Sequence, residues 1–258
     1  MVKANQARSA GAGARALYLG HRDKKRVSCT DEALVVHNDR AQTLRYPLAR
    51  VARVVSSTVV DWTGDALAQC MRRGIGISWL DVKGQALGTC YPQVRQNQSL
   101  ATALELWLES PVGMDQYTQW LRARRMNVLI NWAKTQPNQA APALWETLKR
   151  EWVYGGRIHA HLPAALHGRL AAFVDSQLAD HGAPPLLWGP ETQPVNLDDG
   201  LCSLLWAEMN LGTGSLADQA SQDADLAALF ERWAARNGAA LMLHLASLHR
   251  TALKAMYE

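Results

Sequence analysis

The stretch Gly74–Gly88, GIGISWLDVKGQALG, decides the fold of the first part of the chain. Its apolar and β-branched segment Ile75–Leu80 predicts a strand, and Lys83–Gly84 predicts a turn that returns the chain through Ala86–Cys90. Directly upstream, apolar residues at helical spacing predict a helix over Thr63–Arg73, with Gly74 as its carboxyl-terminal cap. We therefore expect one helix placed just before a final hairpin.

Upstream of that helix, the residue pattern is typical of short strands. The segments are rich in β-branched residues, partly alternate with polar residues, and are separated by Asp, Asn and Gly turns. Five strands in such a short space predict an antiparallel sheet. They are Leu17–Leu19, Arg26–Thr30, Ala33–Val36, Thr43–Pro47 and Arg53–Ser57.

Beyond Pro92 the hydrophobic period becomes 3.6, which predicts helices. The last of them has a possible break at Asn237–Gly238. The fold class is thus α+β, with an amino-terminal antiparallel β domain containing one helix, followed by an all-α helical lobe. The expected divisions are a flexible basic tail (1–15), the β domain (16–92) and the helical domain (96–258). The helices are expected around Leu100–Leu108, Met114–Ala133, Leu144–Trp152, Pro163–Asp180, Leu197–Met209 and Asp225–Met256.

Composition excludes several protein classes. The 258 residues are 48% hydrophobic and 19% charged, which is ordinary for a folded protein and excludes a wholly disordered chain. The longest uncharged run near the end, Asn237–Leu248, has 12 residues, whereas a bilayer-spanning helix needs about 20. The first fifteen residues lack a secretory hydrophobic segment, and the four cysteines lack CxxC spacing. We expect a cytoplasmic protein that does not enter a membrane.

Charge is distributed unevenly along the chain. Residues 1–95 carry 15 Lys and Arg against 7 Asp and Glu, whereas the other 163 residues carry 12 and 16. A basic surface attracts phosphate backbones through counterion release, so nucleic acid is a candidate partner. The alternative is an ordinary solvated basic face.

Several motifs occur together in the order of a known family. ALYL (Ala16–Leu19), YPLARVARVV (Tyr46–Val55), the helix ending at Arg73, GIGISWLD (Gly74–Asp81) and KGQALG (Lys83–Gly88) follow one another. This resembles the amino-terminal β domain of the CRISPR-associated adaptation integrase, the endonuclease that inserts new spacers. The resemblance implies that the protein binds DNA, forms a homodimer and works with other CRISPR adaptation proteins.

The resemblance also implies where a catalytic site would lie. The family's helical lobe holds a divalent ion with a Glu, a His about seventy residues later and an acidic residue beyond it, and the ion polarises a phosphate. The best counterpart of the Glu helix is LHGRLAAF (Leu166–Phe173), so His167 stands where Glu is expected. The nearest candidates for the other two roles are His244 and, fourteen residues later, Glu258.

These departures favour a degenerate site. His167 replaces an anionic oxygen ligand, and His244 lies in a continuous apolar helical pattern. No metal ligand set and no cofactor is therefore predicted; Mg²⁺ or Mn²⁺ would be required only by an active, divergent integrase. Asp198–Asp199 are interpreted as charges at a helix amino terminus.

Basic residues on two predicted helices are the candidate DNA contacts. They cluster within single turns beside Trp145 and Trp152, which could stack on unpaired bases. The alternative is a solvated helix face over buried tryptophans. A third interpretation is a β-domain scaffold that dimerises and binds no nucleic acid. The candidates are Arg122, Arg124, Arg125, Lys149 and Arg150.

Overall fold

The computed structural model describes residues 14–20, 25–38, 41–90, 98–137, 140–160, 162–183, 186–187, 195–211 and 225–257. Most of the expected basic tail (1–15) lies outside these residues, as does Glu258. The chain forms two compact units, residues 1–93 and 94–258, the first mainly strands and the second mainly helices. The predicted α+β class is confirmed.

The first unit contains two four-stranded sheets. In one, the strand order is β1-β5-β7-β8, and in the other it is β4-β3-β2-β6. The strands are β1 (Arg15–Leu19), β2 (Lys25–Cys29), β3 (Ala33–Asn38), β4 (Ala41–Pro47), β5 (Val51–Ser57), β6 (Val60–Trp62), β7 (Gly76–Leu80) and β8 (Ala86–Cys90).

Strand pairing in this unit is mixed, not wholly antiparallel as expected. The adjacent strands β2–β3, β3–β4 and β7–β8 pair antiparallel, because only two to five residues separate them along the chain. The pairs β1–β5, β5–β7 and β2–β6 are parallel. Their connections pass through other strands or through a helix, and such crossovers return the chain in its original direction.

The predicted helix before the last hairpin is present as α1 (Gly64–Arg72). The Thr63 hydroxyl caps it by accepting a hydrogen bond from the Ala66 amide at 3.2 Å. Gly74 follows its end with φ of +73°, a conformation that favours glycine. Ala66 and Cys70 are buried in the unit's hydrophobic core with residues of both sheets.

The second unit consists of packed helices and one two-stranded ribbon. A six-residue π-helical turn, Lys149–Tyr154, directly follows α4 and buries Trp152 and Val153. The elements are α2 (Gln98–Glu109), α3 (Gly113–Thr135), α4 (Pro142–Leu148), α5 (Ala164–Asp180), β9 (Leu186–Leu187), β10 (Val195–Asn196), α6 (Leu197–Leu211) and α7 (Leu226–Tyr257).

Helix α7 continues through Asn237–Gly238, so the break considered there is wrong. A helical glycine costs only about 1 kcal/mol relative to alanine. The Asn237 side chain returns a hydrogen bond to the Trp233 carbonyl at 3.0 Å, within the helix. Burial of Leu241, Leu245 and Leu248 in the core anchors the helix beyond this point.

None of the described helices is long and apolar enough to cross a membrane. All four cysteines have free thiols.

Candidate functional site

His167 lies on α5 at a cleft of about 490 Å³ in the helical unit. The side chain is exposed, and its ring meets the Trp206 indole edge-on, with centroids 5.1 Å apart and planes at 88°. Asp199, Ser203 and Arg157 also line the cleft. Among the described residues, the cleft therefore combines one carboxylate, one imidazole, one hydroxyl, one guanidinium and the Cys202 thiol.

Desolvation by neighbouring groups governs the charge of the imidazole, although the residue as a whole is exposed. Desolvation lowers the pKa of His167 below its ordinary value, and the nearby Asp199 carboxylate opposes that change without overcoming it. Because the ordinary value is about 6.5, the ring is mostly neutral at pH 7.

The first turn of α6 brings two carboxylates to the same region. Asn196 donates a hydrogen bond to the Asp199 carboxylate at 2.9 Å, which fixes that side chain. Burial, followed by the charges of Asp175 and Asp199, raises the pKa of Asp198 to about 6. Asp198 and Asp199 do occupy the helix amino terminus that their sequence position indicates.

The donors at the cleft do not fit a hard divalent ion. Mg²⁺ and Mn²⁺ prefer several oxygen ligands, and the cleft lining supplies a carboxylate only from Asp199, beside the His167 imidazole. Within the described part of the chain, no three His, Cys, Asp or Glu side chains are grouped to hold a metal. Among the described residues, the donors at this cleft therefore fall short of the oxygen ligands that such an ion prefers.

His244, on α7, occupies a different environment from His167. It is 2% exposed, and the Arg124 Nε–H donates a hydrogen bond to its Nδ1 at 3.0 Å. Since a guanidinium can only donate, Nδ1 must accept, and the ring proton is on Nε2. Nε2 then donates to the Glu208 carboxylate at 3.2 Å. Both ring nitrogens are thus engaged inside the fold.

The structure brings together residues that the sequence analysis had assigned to different roles. It joins His244, a catalytic candidate, to Arg124, a DNA-binding candidate, through a direct hydrogen bond. The third catalytic candidate, Glu258, lies outside the described residues. Glu208, the carboxylate partner of His244, was not among the predicted site residues.

The five candidate cations have distinct surroundings. Arg122 is exposed, whereas the half-buried Arg125 packs its guanidinium against Gly156. Burial lowers the pKa of Arg125, but arginine stays charged at neutral pH. Lys149 is half-buried, and the exposed Arg150 pairs with Glu151 at 3.2 Å.

A second groove, of about 620 Å³, lies between α3 and α7. Its cations are Arg124, Arg250 and Lys254, of which the last two were missed by the sequence analysis. Their spacing of four residues on one helix is the signal that could have identified them.

Comparison with known families identifies the fold. The family model for CRISPR associated protein Cas1 matches residues 18–151, which is more than half of the chain. The chain belongs to the Cas1 family. No curated protein sequence matches it.

Solved structures extend the likeness in fold over most of the chain. A CAS1 protein from Thermotoga maritima superposes with a TM-score of 0.70 at 12% identity, covering 95% of this chain and 98% of that one. The Cas1 of a TtCas1–DNA complex superposes at 0.57 and 12% identity, covering 92% and 91%. A casposase bound to its integration product superposes at 0.54 and 15% identity, covering 81% and 74%.

The two comparisons differ in the helical unit. The family model stops at Glu151, before His167, whereas the Thermotoga protein superposes over 95% of the chain. The helical unit therefore has the Cas1 fold, although the sequence beyond Glu151 falls outside the family match.

Proposed function

We propose that this Cas1-family protein binds DNA in CRISPR adaptation as a structural or regulatory subunit, without nuclease or strand-joining activity of its own. The observation that carries the proposal is the surroundings of His167. At the position where the resemblance implies a Glu, the cleft presents an imidazole beside Asp199 and the Trp206 indole edge.

The chemistry of the reaction supports this proposal. Metal-dependent transesterification needs an ion held by protein oxygens against the transferring phosphate. Both ring nitrogens of His244 are engaged, by Arg124 and by Glu208, so its use as a ligand would require breaking one of these hydrogen bonds. His167 and Asp199 alone leave the donor set short of oxygens.

DNA binding is supported by charge and by the structural neighbours. Arg122, Lys149 and Arg150 are the proposed phosphate contacts outside the groove, because arginine and lysine heads at the surface can pair with phosphate oxygens. One of the similar structures is a Cas1–DNA complex, and another is a casposase bound to its integration product. Assembly as a homodimer with other adaptation proteins in the cytoplasm completes the proposal.

A binding and cleavage experiment tests this function. Labelled duplex and splayed DNA are titrated with wild-type protein and His167→Ala at two salt concentrations, with and without Mn²⁺. We expect the two proteins to bind DNA with affinities within about a factor of two of each other. The His167 imidazole is mostly neutral at pH 7 and therefore offers no positive charge to a phosphate. Neither should nick or join DNA.

The control for cleavage conditions is an active Cas1 protein on the same substrates. Manganese-dependent nicking by the wild type that is lost in His167→Ala would establish an active, divergent integrase instead. Failure of the wild type to bind either DNA would favour a protein-interaction scaffold.

A further inference from the structure

We propose that the groove between α3 and α7 binds consecutive phosphates of a nucleic-acid backbone, and that the buried pair His244–Glu208 holds Arg124 in place for this contact. The inference deepens the proposed DNA binding and rests on it. It assigns a binding role to Arg250 and Lys254 and a positioning role to His244.

The charge of the groove favours an anion. Arg124 reaches it from α3, and Arg250 and Lys254 reach it from α7. The other described lining residues are Leu243, Ser247 and Thr251, none of which carries a negative charge. We infer that this anion is a nucleic-acid backbone, because the chain belongs to the Cas1 family and has a fold similar to that of a Cas1 in complex with DNA.

Two of these cations retain donors for a ligand. Arg124 uses only its Nε–H for His244, and no other described residue accepts a hydrogen bond from its terminal amino groups. The exposed Arg250 has no hydrogen-bond or ion-pair partner among the described residues. A guanidinium presents its N–H groups as a fork that matches the oxygens of a phosphate.

Two hydroxyls extend the polar lining. The Trp120 indole donates a hydrogen bond to the Ser247 hydroxyl at 3.2 Å, so this hydroxyl accepts from Trp120 and keeps its own proton for another acceptor. Thr251 donates to the Ser247 carbonyl at 3.0 Å, which holds its side chain against the helix. Ser247 can therefore donate to a phosphate oxygen from the floor of the groove.

The spacing of the cations suits a backbone better than a single small anion. Arg250 and Lys254 are four residues apart on α7, about 6 Å along the helix axis. Double-stranded DNA carries one phosphate per about 3.4 Å of axis on each strand. The pair thus spans roughly two phosphates of one strand, and Arg124 faces them from the opposite wall.

His244 determines how Arg124 enters the groove. Its Nδ1 accepts from the Arg124 Nε–H at 3.0 Å, and Glu208 fixes the ring by accepting from Nε2 at 3.2 Å. A long side chain that is held in one orientation loses less conformational entropy when it binds. Arg124 is therefore preset for phosphate, and His244 acts through it without contacting the ligand.

The first experiment measures salt dependence for the groove cations. Arg250→Gln/Lys254→Gln is compared with wild type on a fluorescent duplex and on a single strand of the same length. The matched control is Arg232→Gln/Arg236→Gln, which removes two exposed cations of the same helix and spacing outside the groove. The slope of log K against log salt should fall by up to about 1.8 on duplex or about 1.4 on single strand for the groove variant only.

The form of DNA for which the measured change comes closer to its own expected maximum, about 1.8 for duplex or about 1.4 for single strand, is the form that occupies the groove. Equal losses in the two double variants would overturn the groove as a specific site while leaving DNA binding intact. A wild-type protein that binds neither DNA would overturn the groove and the proposed function together.

The second experiment tests positioning. His244→Leu removes the acceptor of Arg124, whereas His244→Asn keeps an amide oxygen close to the Nδ1 position. We expect His244→Leu to lower the salt slope as much as Arg124→Gln does, with no further loss when both are combined, and His244→Asn to restore it. Glu208→Ala, at a half-buried position, should also lower the salt slope. This variant tests the same positioning if His244→Leu fails to fold. Unchanged slopes in the folded variants would show that His244 serves stability alone.

Discussion

The contact between Tyr117 and Gly200 joins α3 to the start of α6. The Tyr117 ring stacks on Trp120 with centroids 5.8 Å apart, and its hydroxyl is buried without a hydrogen-bond partner among the described residues. Burial raises the pKa of this phenol, so the hydroxyl stays protonated. A Cβ added at Gly200 would lie 2.5 Å from the hydroxyl oxygen, closer than atoms can approach.

Paired substitutions test this contact. We expect Tyr117→Phe to raise the free energy of unfolding by about 1 kcal/mol, because it removes a buried hydroxyl that lacks a partner. Gly200→Ala should destabilise the wild type but be neutral or stabilising when combined with Tyr117→Phe, where the clash is gone and alanine is the better helix residue. Denaturant unfolding of the four proteins measures the coupling, and additive effects would contradict it.

At the residue scale, the sequence reveals part of the candidate site. His167 is identifiable because a glycine follows it in a helix resembling the family's Glu-Gly helix. The pairing of Arg124 with His244 could not be read, because 120 residues separate them and only helix packing brings them together. The pairing of Glu208 with His244, 36 residues apart, likewise depends on helix packing and could not be read from the sequence.

At the element scale, the amino terminus of α6 sets two electrostatic effects against each other. The helix dipole stabilises carboxylates in the first turn, where Asp198 and Asp199 lie. Burial and the neighbouring charges of Asp175 and Asp199 disfavour ionisation of Asp198, and they outweigh the dipole, since its pKa rises to about 6.

Asp198→Asn should therefore change stability in a pH-dependent way. The folded-state pKa lies above the unfolded value, so wild-type stability falls as pH rises from about 4 to about 6. At pH 7.5 the substitution should raise the free energy of unfolding by on the order of 1 to 2 kcal/mol, after allowance for solvent screening. At pH 3.5 it should have little effect. Denaturant unfolding across this range checks the profile, and an equal gain at both pH values would contradict it.

Elements were predicted unequally well from the sequence. The 3.6 period located the helices, and Thr63 with Gly74 marked the ends of α1, because caps are local features. The parallel pairing of β1 with β5 was missed, since a strand's own pattern does not identify its neighbour. The continuity of α7 through Gly238 was decided by core packing, which a local propensity does not include.

At the scale of the whole molecule, the feature that bears on assembly is the edge of the first sheet. The first sheet ends at β8, whose backbone edge is unpaired on one side within the described strands. Leu87 on that strand is 60% exposed. An edge strand with an exposed large apolar side chain is suited to pairing with a second copy.

Sedimentation velocity measures this assembly. We expect the protein at tens of micromolar to sediment with about twice the 28.4 kDa chain mass. Leu87→Lys should shift it toward monomer, because a charge at the edge opposes pairing. The control is Leu106→Lys, at a 50% exposed position on α2, which should leave the dimer intact. A monomeric wild type would refute the homodimer.

The two hydrophobic clusters have a consequence for how this protein could evolve. One cluster lies wholly among residues 17–77 and the other wholly among residues 100–252, so each unit draws its stability from its own set of side chains. A substitution that weakens one core leaves the other intact. Selection on the helical unit, including the Trp152 and Cys202 side chains that its core shares with the cleft, can then proceed without loosening the core of the first unit.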